Sequence, residues 1–345
     1  MSESSTSADH PDEAEISVAS TEIGKLQDAL NSVLFDQEEL IDLVLTGILA
    51  KGHILLEGLP GLGKTELVKG LSSALDLPFS RVQFTPDLLP GDITGNPILE
   101  EKDGRREFVF RPGPIFASLV LADEINRASP KTQSALLEAM QERRVTVLGD
   151  SHELPAPFFV LATQNPVDLE GTYPLPEAQL DRFLFKLTVT RNEVSTLERI
   201  IDGRAAGQEP DLAAVMDGEC LEKLIALARR IYLPPVVSNY IARIVDATHP
   251  TQSAGAEGVK FGASPRAAIG LAAACRARAL LHGRQNASFE DAAALANAVL
   301  GHRVILDFSA RATGKTTADV VQAILDATPE QDLNAPAVLK ESGAS

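Results

Sequence analysis

Gly58-Leu59-Pro60-Gly61-Leu62-Gly63-Lys64-Thr65 stands directly after the apolar run Ile54-Leu55-Leu56 and directly before Glu66-Leu67-Val68-Lys69-Gly70-Leu71, whose spacing predicts a helix. A glycine-rich stretch that ends in Lys-Thr between a buried strand and a helix is a phosphate-binding loop in its required setting. The chemistry follows from the residue types. Glycines let backbone N–H groups curl around a β-phosphate, Lys64 reaches the β- and γ-phosphates, and Thr65 ligates Mg²⁺. The helix N-terminus adds partial positive charge beneath the anion. Against the alternative of a glycine-rich turn that binds nothing, the complete loop predicts a bound nucleoside triphosphate.

Outward from the loop, the 345 residues fit one large or two medium domains. A hydrophobic content of 44% with 23% charged residues is that of a chain able to pack a core. Residues 1–20 are rich in Ser, Asp and Glu and poor in large apolar groups, which predicts a disordered acidic tail. Residues 21–191 alternate short apolar strands with helical patterns, as an α/β nucleotide-binding domain does. The expected strands are His53-Glu57, Ser80-Phe84, Leu119-Ala122, Phe158-Thr163 and Phe185-Val189. Residues 192–330 read as helical throughout, with amphipathic stretches at Leu221-Ile231, Val236-Thr248, Pro265-Leu281 and Phe289-Arg303, so a separate helical domain is expected there. Residues 331–345 read as a flexible end.

A net charge of −17 disfavours binding to a nucleic-acid backbone, which rests on Lys and Arg. No apolar run approaches bilayer length, and the N-terminus is polar and acidic where a signal peptide is basic and then apolar. A soluble, cytoplasmic protein is the expectation. Cys220 and Cys275 lie in helical apolar stretches without ligand spacing and read as buried thiols. The six histidines show no ligand spacing either, so no metal is assigned beyond the Mg²⁺ carried with the nucleotide.

Whether the nucleotide is hydrolysed depends on further groups. Leu119-Val120-Leu121-Ala122 predicts a buried parallel strand, and Asp123-Glu124 follows at its C-terminal end, where open α/β sheets bind ligands. Asp123 is the candidate for holding Mg²⁺, and Glu124 for polarising the attacking water. A surface Asp-Glu pair after a core strand is the alternative. Phe158-Phe159-Val160-Leu161-Ala162-Thr163-Gln164-Asn165-Pro166 is a second buried strand with a polar end. It places Asn165 to orient the lytic water, although Asn before Pro is also a routine turn signal.

Together these residues resemble the AAA+ ATPases, and within them the MoxR family. The resemblance is carried by Gly58-Thr65, Phe84-Thr85-Pro86-Asp87-Leu88-Leu89-Pro90-Gly91-Asp92, Asp123-Glu124-Ile125-Asn126-Arg127-Ala128, Ala162-Thr163-Gln164-Asn165-Pro166 and Leu175-Pro176-Glu177-Ala178-Gln179-Leu180-Asp181-Arg182-Phe183. It implies an α/β fold, with an AAA+ P-loop core of parallel sheet and helices on both faces, followed by a small all-α lid. It also implies ATP as the nucleotide and a homo-oligomeric ring, usually of six subunits. The client would be a protein to be remodelled or matured, with a von Willebrand factor A-domain protein as partner. Arg182 would then reach a neighbouring subunit's γ-phosphate; its alternative is a helix-end arginine pairing with Asp181 or Glu177. Gly262-Ala263-Ser264-Pro265-Arg266 matches the family's second sensor. Ser264 suits an N-cap and Pro265 a first helical position, which leaves Arg266 in a first turn where a cation opposes the helix dipole unless an anion is near. Whether Arg266 serves its own subunit's nucleotide or the neighbour's stays open.

Two hairpins resemble inserts of the branch that holds MoxR, magnesium chelatase and the MCM helicases. One pairs Asn96-Leu99 with Glu107-Phe110 around Lys102-Asp103-Gly104, and the other pairs Val145-Leu148 with Ser151-Leu154 around Gly149-Asp150. Chelatase-like and helicase motors are thus neighbouring readings, and a slowly hydrolysing assembly switch is a further one. Near the adenine pocket the family's Val-Gly-Gln is replaced by Phe35-Asp36-Gln37, which keeps Gln37. Gly314-Lys315-Thr316-Thr317 imitates half a phosphate loop, but Ser309 fills the first glycine position and the stretch reads as a helix start.

Overall fold

Three apolar runs become inner strands of one sheet because each is flanked by helical sequence able to cover both of its faces. The computed structural model describes residues 10–59, 61–102, 105–166, 171–191, 193–203, 212–250 and 254–330. Its strands are β1 (Ile54–Glu57), β2 (Phe79–Gln83), β3 (Gly95–Lys102), β4 (Arg105–Pro112), β5 (Leu119–Asp123), β6 (Arg144–Val147), β7 (Asp150–Glu153), β8 (Phe159–Gln164), β9 (Phe185–Thr188), β10 (Val259–Phe261) and β11 (Ile305–Leu306). Five of these form a sheet in the order β2-β5-β8-β1-β9, with parallel pairing throughout. In β5 and β8 every residue but the last is buried, whereas edge strand β2 exposes Arg81 and Gln83 on either side of buried Val82.

The described chain divides into two compact units: Lys25–Val44 with Lys51–Glu222, and Met1–Gly24 with Leu45–Ala50 and Lys223–Ser345 within their described residues. The first is the α/β unit. The helix Lys64–Ala74 follows β1, and Pro130–Glu142 follows β5. The latter is capped by Ser129, whose hydroxyl accepts from the Thr132 N–H, and has Pro130 in its first turn. Phe84, Phe158, Phe183, Leu136 and Leu137 fill one core around the sheet. The unit runs past the expected boundary at residue 191. Thr196 donates to the Asp36 carboxylate, and Val215 N–H bonds the Ala74 carbonyl at 2.8 Å, which ties the segment after β9 to this unit.

The second unit is mostly helical, with Pro235–Asp246, Pro265–Leu281, Phe289–Leu300 and Thr317–Ala327 as its main helices. It also contains the antiparallel pair β10–β11, which the reading of an all-helical segment missed. Asp291 is fully buried, accepts from Arg278 and Arg284 at 2.8 and 2.5 Å, and closes a capping box with Ser288. Gly314-Lys315-Thr316 is a helix start, with Thr316 capping through Asp319. Cys275 is buried, and burial pushes its thiol pKa up; Cys220 is only half-buried.

The tail expected over residues 1–20 is corrected from Glu13 onward, where a helix runs to Val33. Ile16, Ala19, Ile23, Leu26 and Leu30 recur at helical spacing and are buried. Within the second unit, Glu15 pairs with Arg230 at 2.9 Å and the His10 ring meets Tyr232 edge-on at 4.9 Å. The acidic surface of this stretch masked its apolar stripe. The end expected over residues 331–345 lies outside the described residues.

Both hairpins form. β3 and β4 pair from Gly95↔Pro112 to Lys102↔Arg105, and the tip residues Asp103 and Gly104 lie outside the described residues. In the second hairpin Val147 pairs with Asp150, so the turn is Leu148-Gly149, one residue earlier than expected. Both take positive φ, 53° and 95°, as a two-residue hairpin turn that follows strand twist requires.

Just before β1, the buried His53 ring accepts from the Val160 N–H at Nδ1 (3.0 Å) and lies 3.1 Å from the Met140 carbonyl through Nε2. The proton therefore sits on Nε2, and the ring is neutral. Burial, with the nearby Arg143 charge, lowers its pKa from 6.5 to about 3. The unfolded chain takes up a proton on this group below about pH 6.5, while the folded one does not until about pH 3. This part of the stability is complete above the upper value and is lost on acidification, at up to about 1.4 kcal/mol per pH unit. Urea unfolding of the wild type and of His53→Gln between pH 7 and pH 4.5 should show a flatter pH dependence in the variant.

Candidate functional site

The C-terminal ends of β1, β5 and β8 adjoin in the sheet, so whatever follows each strand is brought to one edge. After β1 the chain enters the glycine loop. Gly58 has no room for a side chain, because a Cβ there would lie 2.8 Å from the Val189 carbonyl oxygen. Gly61 and Gly63 take φ of 81° and 82°, a region that favours glycine, and nothing lies within 4 Å of the place a Cβ would occupy at either. Leu59 is exposed, and Pro60 lies outside the described residues. Leu62 belongs to the same turn, and the helix Lys64–Ala74 starts immediately after Gly63, with Lys64 and Thr65 in its first turn.

The Lys64 ammonium donates to the Gly58 carbonyl at 2.6 Å. Partial burial lowers its pKa below the usual lysine value, opposed by the charges of Asp123, Glu124 and Glu57. The strand order β5-β8-β1 sets the loop cation and both candidate carboxylates at the same edge of the sheet, close enough for their charges to interact. Asp123 ends β5. Its Oδ1 accepts from Thr163 Oγ1 at 2.6 Å and its Oδ2 from Arg81 Nη2 at 2.6 Å. The same Thr163 hydroxyl accepts the Glu124 N–H at 2.8 Å. Glu124 has left-handed backbone angles, φ 55° and ψ 49°, a strained state for a residue with a Cβ and one that clusters at functional positions. Its Oε2 accepts from Gln83 Nε2 and from Arg127 Nη1, both at 2.8 Å.

Asn165, one residue past β8, is buried, and its carbonyl accepts from Asn126 Nδ2 at 3.4 Å, which links it to the turn that begins at Glu124. Gln133 fixes that turn from the other side, donating to the Ile125, Ala128 and Tyr173 carbonyls. Gln37 is half-buried ahead of the helix Glu38–Leu49 and gives its carbonyl to the Ile41 N–H at 2.9 Å.

Two expected residues lie on other elements. Arg182 donates from Nη1 to the Leu137 carbonyl at 2.9 Å and lines a cavity of about 430 Å³ with Ser134, Glu138 and Gln179, residues of the helix Pro130–Glu142 and of the turn preceding Arg182. Arg266 belongs to the helical unit, exposed in the first turn of Pro265–Leu281; Ser264 occupies the N-cap position without a side-chain capping bond. Arg81, Gln83, Arg127 and Thr163 were missed by sequence reasoning. The signal for Arg81 and Gln83 was present, as polar residues at i and i+2 of an expected strand share a face.

The donors suit a magnesium nucleotide. A lysine ammonium, a helix N-terminus, a hydroxyl in its first turn and an Asp-Glu pair follow β1 and β5 at one edge of the sheet, and nothing crowds the Cβ positions of Gly61 and Gly63. Thr65 and Asp123 would hold the metal, and Gly58–Thr65 the phosphates.

Comparison with known proteins agrees with this arrangement. Residues 53–185 match the ATPase family associated with various cellular activities (AAA), and residues 252–324 match an AAA lid domain. The chain is 40% identical over 325 residues to the chaperone MoxR1 of Mycobacterium tuberculosis, covering 91% of this chain and 85% of that one. It is 44% identical over 320 residues to the uncharacterised protein YeaC of Bacillus subtilis, covering 88% and 93%. The crystal structure of a candidate ATPase from Cytophaga hutchinsonii superposes with a TM-score of 0.85 at 37% identity, covering 91% of this chain and 96% of that one.

The double role of the Thr163 hydroxyl gives a direct test. Thr163→Val keeps the shape but leaves the Glu124 N–H without an acceptor and Asp123 Oδ1 without its donor. Denaturant unfolding should show a loss of about 1–3 kcal/mol, and Thr163→Ser should restore most of it.

Proposed function

The chain belongs to the MoxR family of AAA+ ATPases, and we propose that it assembles into a ring that hydrolyses Mg-ATP to remodel or mature client proteins. The reading rests chiefly on the grouping of Lys64, Asp123 and Glu124 in one charge neighbourhood beside an open glycine loop. Gly58–Thr65 bind the triphosphate, with Lys64 on the β- and γ-phosphates; Thr65 and Asp123 hold Mg²⁺. The metal, when bound, offsets charge that develops on the transferred phosphoryl group. Glu124 polarises the attacking water, and its strained backbone holds the carboxylate at the strand end. Asn165 orients that water. Gln37 contributes to adenine binding.

Arg182 serves the neighbouring subunit's nucleotide, which makes the oligomer the active form. Its hydrogen bond to Leu137 on the helix Pro130–Glu142 supports this, because the guanidinium is engaged with that helix rather than with Asp123 or Glu124. Arg266 acts as a second nucleotide-facing cation from the lid. A ring of six, a von Willebrand factor A-domain partner and a cytoplasmic setting complete the proposal. The name of the mycobacterial relative, a chaperone, supports the client role. No helix among the described residues is long and apolar enough to cross a membrane. Slow hydrolysis by an assembly switch is the second reading, favoured by the arginine and amide partners that already occupy Asp123 and Glu124.

Single variants separate binding from chemistry. Lys64→Ala should lose nucleotide binding, and Glu124→Gln should keep it while turnover falls by about 10²-fold or more. A mixing experiment addresses the oligomer. Lys64→Ala subunits lack nucleotide but carry Arg182, and Arg182→Ala subunits bind nucleotide but lack the arginine. A mixture should turn over ATP well above the sum of the two alone, and an additive result would refute action across subunits. Turnover per subunit should rise with protein concentration for a motor and stay low at every concentration for a switch.

A further inference from the structure

The two adjacent carboxylates are joined through a continuous chain of side chains that the proposed reaction does not use. Asp123 Oδ1 accepts from the Thr163 hydroxyl, and Oδ2 faces Arg81. Arg81 takes it with two donors, Nη2 at 2.6 Å and Nε at 3.3 Å. Arg81 Nη2 also donates to Gln83 Oε1 at 3.2 Å, and Gln83 Nε2 and Arg127 Nη1 hold Glu124 Oε2. Each carboxylate thus carries its own arginine. The Arg81 side chain is 48% exposed against 14% for Asp123, so the arginine can swing into water without leaving a buried cation behind. It projects from edge strand β2, with Gln83 on the same face and no further strand beyond it in the sheet among the described residues.

We propose that Arg81 is a built-in, exchangeable counter-ion for Asp123 that a divalent metal displaces, so that this arginine sets how much metal the nucleotide site requires. The inference rests on the reading that Asp123 holds the metal. Arginine and metal compete for Asp123. A guanidinium and a dication seek the same carboxylate oxygen, and the metal gains only the difference between its own attraction and that of the pair it breaks. Before metal arrives, Arg81 has a second effect. It neutralises Asp123 beside Glu124, which lessens repulsion of an incoming triphosphate. Removing Arg81 therefore has two consequences of opposite sign, tighter metal coupling and weaker metal-free nucleotide binding, a pattern that loss of packing at an exposed side chain does not produce.

The test is calorimetric binding of a non-hydrolysable ATP analogue to the full chain, in EDTA and over a Mg²⁺ series, for the wild type, Arg81→Met, Asp123→Asn and the double variant. Arg81→Met should lower the Mg²⁺ concentration for half-maximal enhancement by about three- to tenfold and weaken binding in EDTA by about two- to fivefold. In the Asp123→Asn background the effect of Arg81→Met on Mg²⁺ should vanish, because the oxygen competed for has lost its charge. An unchanged or raised Mg²⁺ requirement in Arg81→Met, with Asp123→Asn impaired, overturns the exchange while leaving the metal role of Asp123 standing. An unimpaired Asp123→Asn overturns both. Should Arg81→Met fold poorly by thermal unfolding, Arg81→Lys replaces it. A lysine offers one point charge in place of two donors, so its Mg²⁺ requirement should also drop, by about two- to threefold, and a wild-type value overturns the proposal.

Discussion

The Thr163 hydroxyl is the joint on which the candidate site is built. It donates to Asp123 Oδ1 and accepts from the Glu124 N–H, so one side chain of β8 fixes both the carboxylate that ends β5 and the backbone turn that follows. Without an acceptor at that point the left-handed turn at Glu124 would carry an unpaired N–H at the end of a buried strand. The adjoining strands make this possible. In-register pairing of Ala122 with Ala162 sets the next residues, Asp123 and Thr163, side by side.

Charge is distributed around that joint so that no group stands alone. Lys64 is partly desolvated, which lowers its pKa, and the charges of three carboxylates offset part of that loss of solvent. Asp123 and Glu124 would repel one another and a triphosphate, and each is matched by an arginine. These arginines are half-exposed, which makes their pairs weak and reversible, unlike the pairs of Arg278 and Arg284 with fully buried Asp291. The first arrangement permits partners to be exchanged, and the second fixes a helix start in the lid.

Much of this was legible in the chain itself. The continuous apolar runs ahead of Gly58, Asp123 and Asn165 identified the inner strands, because a strand covered on both faces has no room for polar residues. Edge strand β2 was expected one residue late, and its polar pair Arg81 and Gln83 attracted no function because alternation on an edge is ordinary. The helix from Glu13 was misread for a similar reason. Its charged face dominates composition, while the buried stripe through Ile16, Ala19, Ile23, Leu26 and Leu30 is visible only as a period. The short β10–β11 pair in the lid left no signal, since two or three residues are too few for alternation to show.

The sequence by itself determined the phosphate loop, the strands of the parallel sheet, the two hairpins and the residue types at each strand end, because local spacing dictates those features. The partners were decided by tertiary structure alone. Residue 81 meets 123, 83 meets 124, 163 meets both carboxyl-bearing residues, and 182 turns to the carbonyl of 137, each across about 40 residues of chain. A linear sequence records which side chains are present. Parallel pairing brings distant strand ends together, and only then does a hydroxyl or a guanidinium acquire the carboxylate whose behaviour it controls.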